Sequence, residues 1–135
     1  MAGLIDTSVF IEVERRGTPL DAVAGVTARE PIALAAITAS ELLVGVHRAA
    51  PSERSQRRAA FVEDIIGRIP ILPFDLVVAR VHARLLAELA ATGRTVGQND
   101  LLIAATAHAH GYEVLTLNVR DFGRVPGLVV RQPDR

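Results

Sequence analysis

Residues 2–14, AGLIDTSVFIEVE, decide the fold class, because they predict a buried strand that leads directly into a helix. The apolar start of this stretch is short and ends at Asp6, Thr7 and Ser8, whose side chains commonly begin helices. An apolar–polar pattern of helical type then continues through Glu14. We therefore predict a first strand that enters the core and a first helix that follows it.

The rest of the chain repeats this alternation of short apolar runs with helical patterns. Further strands are predicted in the first half of residues 31–37 and over residues 69–74, 113–116 and 128–130. Helices are predicted over residues 19–27, 38–48, 51–67, 75–93 and 100–110. Such alternation predicts an α/β fold in three layers, with a central, mostly parallel sheet of about four to five short strands flanked by helices.

Several of these helices carry distinctive patterns. Residues 101–105 are apolar on every face, so the last helix is expected to be deeply buried. Thr38 and Glu41 have the spacing of a capping box, which predicts that their helix begins at Thr38. Ser52 and Asp75 are placed to begin two other helices.

The composition indicates one compact domain over residues 1–135, which is half hydrophobic and has no cysteine. Thiolate zinc sites, iron–sulfur clusters and cysteine nucleophiles are thereby excluded. All 15 basic residues are arginine, so Walker-type phosphate loops and Schiff-base chemistry, which require lysine, are excluded as well. The 15 acidic residues balance them, and a net charge of zero argues against non-specific coating of nucleic acid.

The start of the chain carries no basic segment and reaches an acid at Asp6, which argues against a signal peptide. The longest nearly uncharged stretch, residues 31–40, falls far short of the ~20 apolar residues that a spanning helix requires. We expect a soluble, cytoplasmic protein with no membrane partner.

Four acidic residues follow the predicted strands and indicate a catalytic site. Asp6 follows the first strand, Glu41 lies in the helix after the second, Asp100 begins the buried helix, and Asp121 follows the strand that ends at Thr116. Carboxyl ends of parallel strands meet at one edge of a sheet, so we expect these carboxylates to gather there. Like charges repel, and a cation removes the conflict. Oxygen ligands without cysteine suit Mg²⁺ or Mn²⁺, which predicts metal-assisted hydrolysis of a phosphodiester.

Each acid also has a purely structural interpretation. Asp6 has the position of a cap on the first helix, and Glu41 completes the capping box. Asp100 or its neighbour Asn99 is placed to cap the buried helix, and Asp121 to shape a turn. Their convergence on one edge favours the metal site over four separate structural roles.

Several segments of the chain together resemble the ordered motifs of PIN-domain ribonucleases. They are LIDTSVFI (residues 4–11), TASEL (38–42), NDLLIAATA (99–107), LTLNVRDF (115–122) and VPGL (125–128). The likeness is greatest to the VapC toxins of bacterial VapBC toxin–antitoxin pairs and covers essentially the whole chain. It implies a PIN fold and an endoribonuclease dependent on Mg²⁺ or Mn²⁺ that acts on tRNA, rRNA or mRNA. It also implies inhibition by a cognate VapB antitoxin, and a homodimer.

Asp6, Glu41 and Asp100 match the three most regular metal-site acids of that family, so the resemblance assigns them metal binding and catalysis. The fourth position departs from the family pattern, because many relatives have a carboxylate where this chain has Asn118. Three roles stay open for Asp121: direct metal binding, binding through water, and bracing of the site. Asn118 offers an amide oxygen.

Three hydroxyl residues lie near these acids. The resemblance has Thr7 and Thr116 position water or phosphate, whereas the simpler interpretation has them cap the backbone. Ser8 is not expected to act as a hydrolase nucleophile, because no histidine is placed by the sequence to serve as its base.

Arginine is the residue type available to hold RNA, because the acids repel phosphate. Arg15, Arg94 and Arg120 are the leading candidates, since a forked guanidinium in a loop or at a helix end binds two phosphate oxygens. Arg16, Arg48 and Arg124 have similar predicted positions. With few aromatic residues, recognition by RNA shape is favoured over base stacking.

The hydrophobic surplus suggests a groove for a partner on the helix faces. The candidates are Ile11 and Val13, then Leu42, Leu43 and Val46, then Phe61, Val62 and Ile65. An amphipathic antitoxin segment suits such a groove, whereas the alternative is that these residues form the core.

Two other functions stay open. A nuclease acting on DNA, including the flap type, is disfavoured because such enzymes usually carry extra DNA-binding elements beyond this length. A catalytically silent RNA- or protein-binding module is disfavoured by the presence of Asp6, Glu41 and Asp100.

Overall fold

Strands and helices alternate along the chain in the computed structural model, which describes residues 2–20 and 31–133. In chain order the elements are β1 (Gly3–Ile5), α1 (Thr7–Arg16), β2 (Ile32–Ala35), α2 (Ala36–Arg48), α3 (Glu53–Arg68), β3 (Ile71–Leu72), α4 (Leu76–Ala91), α5 (Gln98–His110), β4 (Glu113–Leu115), α6 (Val119–Phe122) and β5 (Val130–Arg131). The helix predicted over residues 19–27 lies mostly outside the described residues. In the part of the chain that is described, no helix combines the length and apolar character needed to span a bilayer.

The five strands form one parallel sheet in the order β3–β2–β1–β4–β5. On the central strand β1, Leu4 is paired with Ala33 on one side and with Val114 on the other. All carboxyl ends therefore lie at one edge, and the residue after β1 lies in the middle of that edge. The predicted α/β class and the parallel sheet are confirmed.

Consecutive strand residues face two separate hydrophobic cores, because side chains alternate across a sheet. Leu4 packs in a core with α4, α5 and α6, and Ile5 packs in a core with α1, α2 and α3. Phe122 and Phe10 are fully buried, one in each core, and such burial contributes about 1.5–3 kcal/mol per side chain. Helices thus cover both faces of the sheet, which gives the three predicted layers.

The helix after β2 begins earlier than its sequence signal indicates. The predicted capping box is wrong: α2 begins at Ala36, and its N-cap residue Ala35 makes no side-chain cap bond. Thr38 is buried inside the first turn, so its hydroxyl cannot serve as the cap. Pairing with β3 keeps the chain extended as far as Ala35, and the helix begins at the next residue. The Ser52 and Asp75 caps are confirmed, since their side chains accept bonds from the backbone N–H groups of Ser55 and Val78.

Candidate active site

The carboxyl edge of the sheet brings together acids from separate elements. Asp6 directly follows β1, Glu41 lies on α2, Asp100 on α5, and Asp121 on α6. Burial raises the pKa of Asp100 to about 6, and repulsion by the other three carboxylates adds to this shift. Such repulsion falls off with distance, so all four charged groups face one region of the protein.

Asp6 lies at the centre of this edge and is almost completely buried, at 5% exposure of the residue. Its Oδ2 accepts hydrogen bonds from Ser8 Oγ at 2.7 Å and from Thr116 Oγ1 at 2.8 Å. Although Asp6 occupies the N-cap position of α1, its side chain makes no cap bond. The capping interpretation of Asp6 is therefore wrong, and both hydroxyls hold its carboxylate toward the end of the sheet.

The backbone after β4 fixes the direction of these hydrogen bonds. The N–H of Leu117 donates to Ser8 Oγ at 3.1 Å, and the N–H of Asn118 donates to Thr116 Oγ1 at 2.9 Å. Each hydroxyl has only one proton, which is free to be donated to Asp6. The network therefore presents two donors to one oxygen of the Asp6 carboxylate.

Glu41 is held by the first turns of two other helices. Its Oε1 accepts a hydrogen bond from Thr7 Oγ1 at 2.7 Å, and its Oε2 accepts one from Asn99 Nδ2 at 3.4 Å. The carboxylate therefore links α1, α2 and α5 instead of capping α2. Thr7 acts on the site through Glu41.

Asp100 is not a cap either. The N-cap residue of α5 is Gly97, so neither Asn99 nor Asp100 caps this helix. Asp121 Oδ2 accepts a hydrogen bond from Asn118 Nδ2 at 2.9 Å, and its Oδ1 lies 3.6 Å from Arg124 Nη1. Asn118 thus directs its amide nitrogen to Asp121.

The donor set fits a hard divalent ion in its chemistry, because it consists of carboxylate oxygens whose repulsion a cation relieves. Across residues 2–20 and 31–133, however, no three acidic or histidine side chains are arranged as a group that encloses a metal ion. The acids lie around a shared region, and Asp6, Glu41 and Asp121 bind neighbouring hydroxyl, amide or guanidinium groups.

The arginines predicted to hold RNA occupy two different places. Arg94 and Arg120 line one open cleft, together with Arg124. Arg15 lies near the C-terminal end of α1, about 12 Å along the helix axis from Thr7, and forms an ion pair with Glu12.

Ser8 is the site residue whose role the sequence reasoning missed. The sequence predicts Ser8 as a helix-starting side chain and not as a nucleophile, whereas in the structure its hydroxyl donates a hydrogen bond to Asp6. The available signal was its position, two residues after the acid and in the first turn of a helix.

Comparison with known proteins gives a consistent pattern over nearly the whole chain. The PIN domain family model matches residues 3–128. "Ribonuclease VapC1" of Rickettsia felis is 39% identical over 132 residues, which cover 96% of this chain and 95% of that protein. "tRNA(fMet)-specific endonuclease VapC" of Shigella flexneri is 36% identical over 95 residues, or 70% of each chain. A solved structure of DNA-bound VapBC from Salmonella typhimurium has a TM-score of 0.87 at 28% identity and covers 98% of both chains.

Proposed function

This chain belongs to the PIN-domain family and, within it, to the VapC ribonucleases, and from that premise we propose that it hydrolyses phosphodiester bonds in RNA at the acidic edge of its sheet. One observation carries the placement of this activity. Asp6, Glu41, Asp100 and Asp121 come from four separate parts of the chain to the carboxyl edge of the sheet, and the other three carboxylates add to the effect of burial in raising the pKa of Asp100. Four acids that repel one another within one region provide the charge that a divalent ion requires.

Asp6, Glu41, Asp100 and Asp121 are the proposed ligands of a divalent ion, Mg²⁺ or Mn²⁺. When bound, such an ion lowers the pKa of a coordinated water and neutralises charge on the leaving oxygen. Asp6 supplies the most rigid carboxylate, because two hydroxyls hold it from one side. Thr7 and Asn99 orient Glu41, and Asn118 orients Asp121, so these three are positioning residues.

Structured RNA is the proposed substrate class, and tRNA is the first candidate because the Shigella flexneri relative is named for it. Purified protein is expected to cleave tRNA with Mg²⁺ or Mn²⁺ and to stop when the ion is chelated. Single-stranded DNA of matched length is the comparison. Preferential cleavage of DNA would favour the DNA-nuclease alternative, and binding of RNA without cleavage under any ion would favour the silent module.

A VapB-type antitoxin is the proposed inhibitor, because the solved neighbours include VapBC complexes. A groove of about 180 Å³ between α1, α2 and α3 supports this proposal, with Ile11 and Phe61 among its lining residues. Thr7 and Glu41 line the same groove, so a segment bound there reaches the proposed catalytic site. Leu42 and Val62 line this groove and also belong to the core beneath it, whereas Ile65 is buried in the core and does not line the groove.

Introducing a charge into this groove is expected to weaken the antitoxin complex. Ile11 is 56% exposed, so Ile11→Glu leaves the fold intact but requires burial of a carboxylate against an apolar segment. We expect the Kd for the cognate antitoxin to rise about tenfold or more. Val129→Glu, at a similarly exposed apolar position next to the edge strand β5, is the matched control. Equal affinity of the two variants would contradict the groove assignment.

A homodimer is part of the proposal, as the resemblance implies. Exposed apolar side chains at the start of α4, including Leu76 and Val77, provide surface that self-association can cover. Sedimentation of the toxin without antitoxin measures this directly, and a strictly monomeric protein at micromolar concentration contradicts it.

A further inference from the structure

An open cleft lies beside the acidic edge, between the loop after α4 and helix α6. Its volume is about 730 Å³, and its lining includes Arg94, Thr95, Arg120 and Arg124. The sequence places Arg94 and Arg120 on separate elements, and only the fold brings them to the same cleft. Three guanidinium groups around one opening form a positive surface.

The charges of Arg94 and Arg120 are not neutralised by protein groups among the described residues, whereas those of several other arginines are. Arg57, Arg68 and Arg84, for example, form ion pairs with acids one turn away on the same helix. Within residues 2–20 and 31–133, neither Arg94 nor Arg120 has an ion pair or a side-chain hydrogen bond. Both side chains are exposed, so their donors are available to an anion from solution.

Arg124 connects this cleft to the acidic edge. Its Nη1 donates a hydrogen bond to the backbone oxygen of Thr95 at 3.3 Å, which ties the two walls of the cleft together. The same Nη1 lies 3.6 Å from Oδ1 of Asp121, one of the proposed metal ligands. Arg124 therefore lies between the positive cleft and the acidic edge, in contact with both.

This arrangement resolves an electrostatic difficulty of the proposed reaction. A phosphodiester chain is repelled by four clustered carboxylates unless its neighbouring phosphates find positive charge close by. Guanidinium groups bind phosphate through two parallel hydrogen bonds, and such contacts fix the position of a nucleic acid without reading its sequence.

We propose that the cleft formed by Arg94, Arg120 and Arg124 binds backbone phosphates of the RNA strand next to the phosphate that is cut. The proposal rests on the ribonuclease function and assigns the strand a path, from the acidic edge across α6 and toward the loop after α4. Arg94 and Arg120 make the phosphate contacts, and Arg124 keeps the walls together and holds Asp121.

The test compares Arg94→Ala and Arg120→Ala with Arg80→Ala. Arg80 is exposed and has no ion pair within the described ranges, but it lies on α4 about 16 Å along the axis from the end of that helix. Binding of labelled single-stranded RNA and of tRNA is measured in chelator at several salt concentrations. Each cleft variant is expected to bind about five- to tenfold more weakly, and the slope of log K against log salt is expected to fall by about 0.7 per lost contact.

Cleavage kinetics and thermal unfolding complete the test. The cleft variants are expected to raise KM several-fold with little change in kcat, and to keep the wild-type Tm, because both side chains are exposed. Affinity and salt slope equal to wild type in both variants would overturn the proposal, as would equal weakening by Arg80→Ala. If the cleft variants weaken binding but the wild-type protein cuts no RNA with any divalent ion, the cleft stands and the ribonuclease function fails.

Discussion

Asp6→Asn is expected to reduce RNA cleavage at least about a thousandfold and to leave the fold intact. Asparagine has the same shape, and its amide oxygen still accepts the hydrogen bonds from Ser8 and Thr116. What is lost is a full negative charge at the centre of the acidic edge. A metal-assisted reaction depends on the ion for several kcal/mol of transition-state stabilisation, which corresponds to a factor of a thousand or more in rate.

Asp64→Asn is the matched control for this measurement. Asp64 is an exposed residue of α3 that pairs with Arg68, and loss of such a surface pair changes stability by about 1 kcal/mol at most. Initial rates on tRNA with Mn²⁺ are compared for wild type and both variants, with circular dichroism to verify folding. A folded Asp6→Asn variant that cleaves RNA at the wild-type rate would exclude this carboxylate from catalysis.

Asp100→Asn is expected to make the protein more stable in chelator and, at the same time, catalytically inactive. Burial, followed by repulsion from the other three acids, raises the pKa of Asp100 from 3.8 to about 6. The folded state therefore holds this proton more tightly than the unfolded chain does, and stability falls as pH rises between these two values. Above that window the ionised Asp100 is destabilising, and asparagine removes the destabilising charge.

The measurement is the difference in Tm between Asp100→Asn and the wild type as a function of pH. Because Asp100 is partly solvent-exposed, the full value of the pKa shift is discounted to about 1 kcal/mol, or about 4 °C in Tm at pH 8. Below about pH 3, well under both pKa values, both states are protonated, and the wild type and the variant are expected to melt together. A variant that melts at or below the wild-type temperature at pH 8 would show that the carboxylates do not repel one another as described.

Much of the fold follows from local patterns, because the apolar runs are short and helix-starting residues follow the first of them. The acids at the edge were predictable for the same reason, since parallel strands place the residues that follow them at one end. The start of α2 at Ala36 was not predictable from local patterns, because strand β2 continues into the helix and overrides the cap signal at Thr38. The pairing of β2 with its neighbouring strands sets the residue at which α2 begins.

The hydrogen bonds within the site could not be predicted from the sequence either. Ser8 and Thr116 both donate to Asp6, although they are distant in the chain, and only the parallel pairing of β1 with β4 brings them together. The positive cleft has the same origin, because Arg94 and Arg120 belong to elements that meet only in the folded protein. Long-range packing determined these groupings.

The most direct test of the divalent-ion site is a calorimetric titration of Mn²⁺, repeated with Mg²⁺, into metal-free protein. We predict saturable binding to the wild type and to Asp64→Asn, and loss of that binding in Asp6→Asn and Asp100→Asn. Absence of binding to the wild type, or equal binding to all four proteins, would contradict the assignment of the four carboxylates as the metal site.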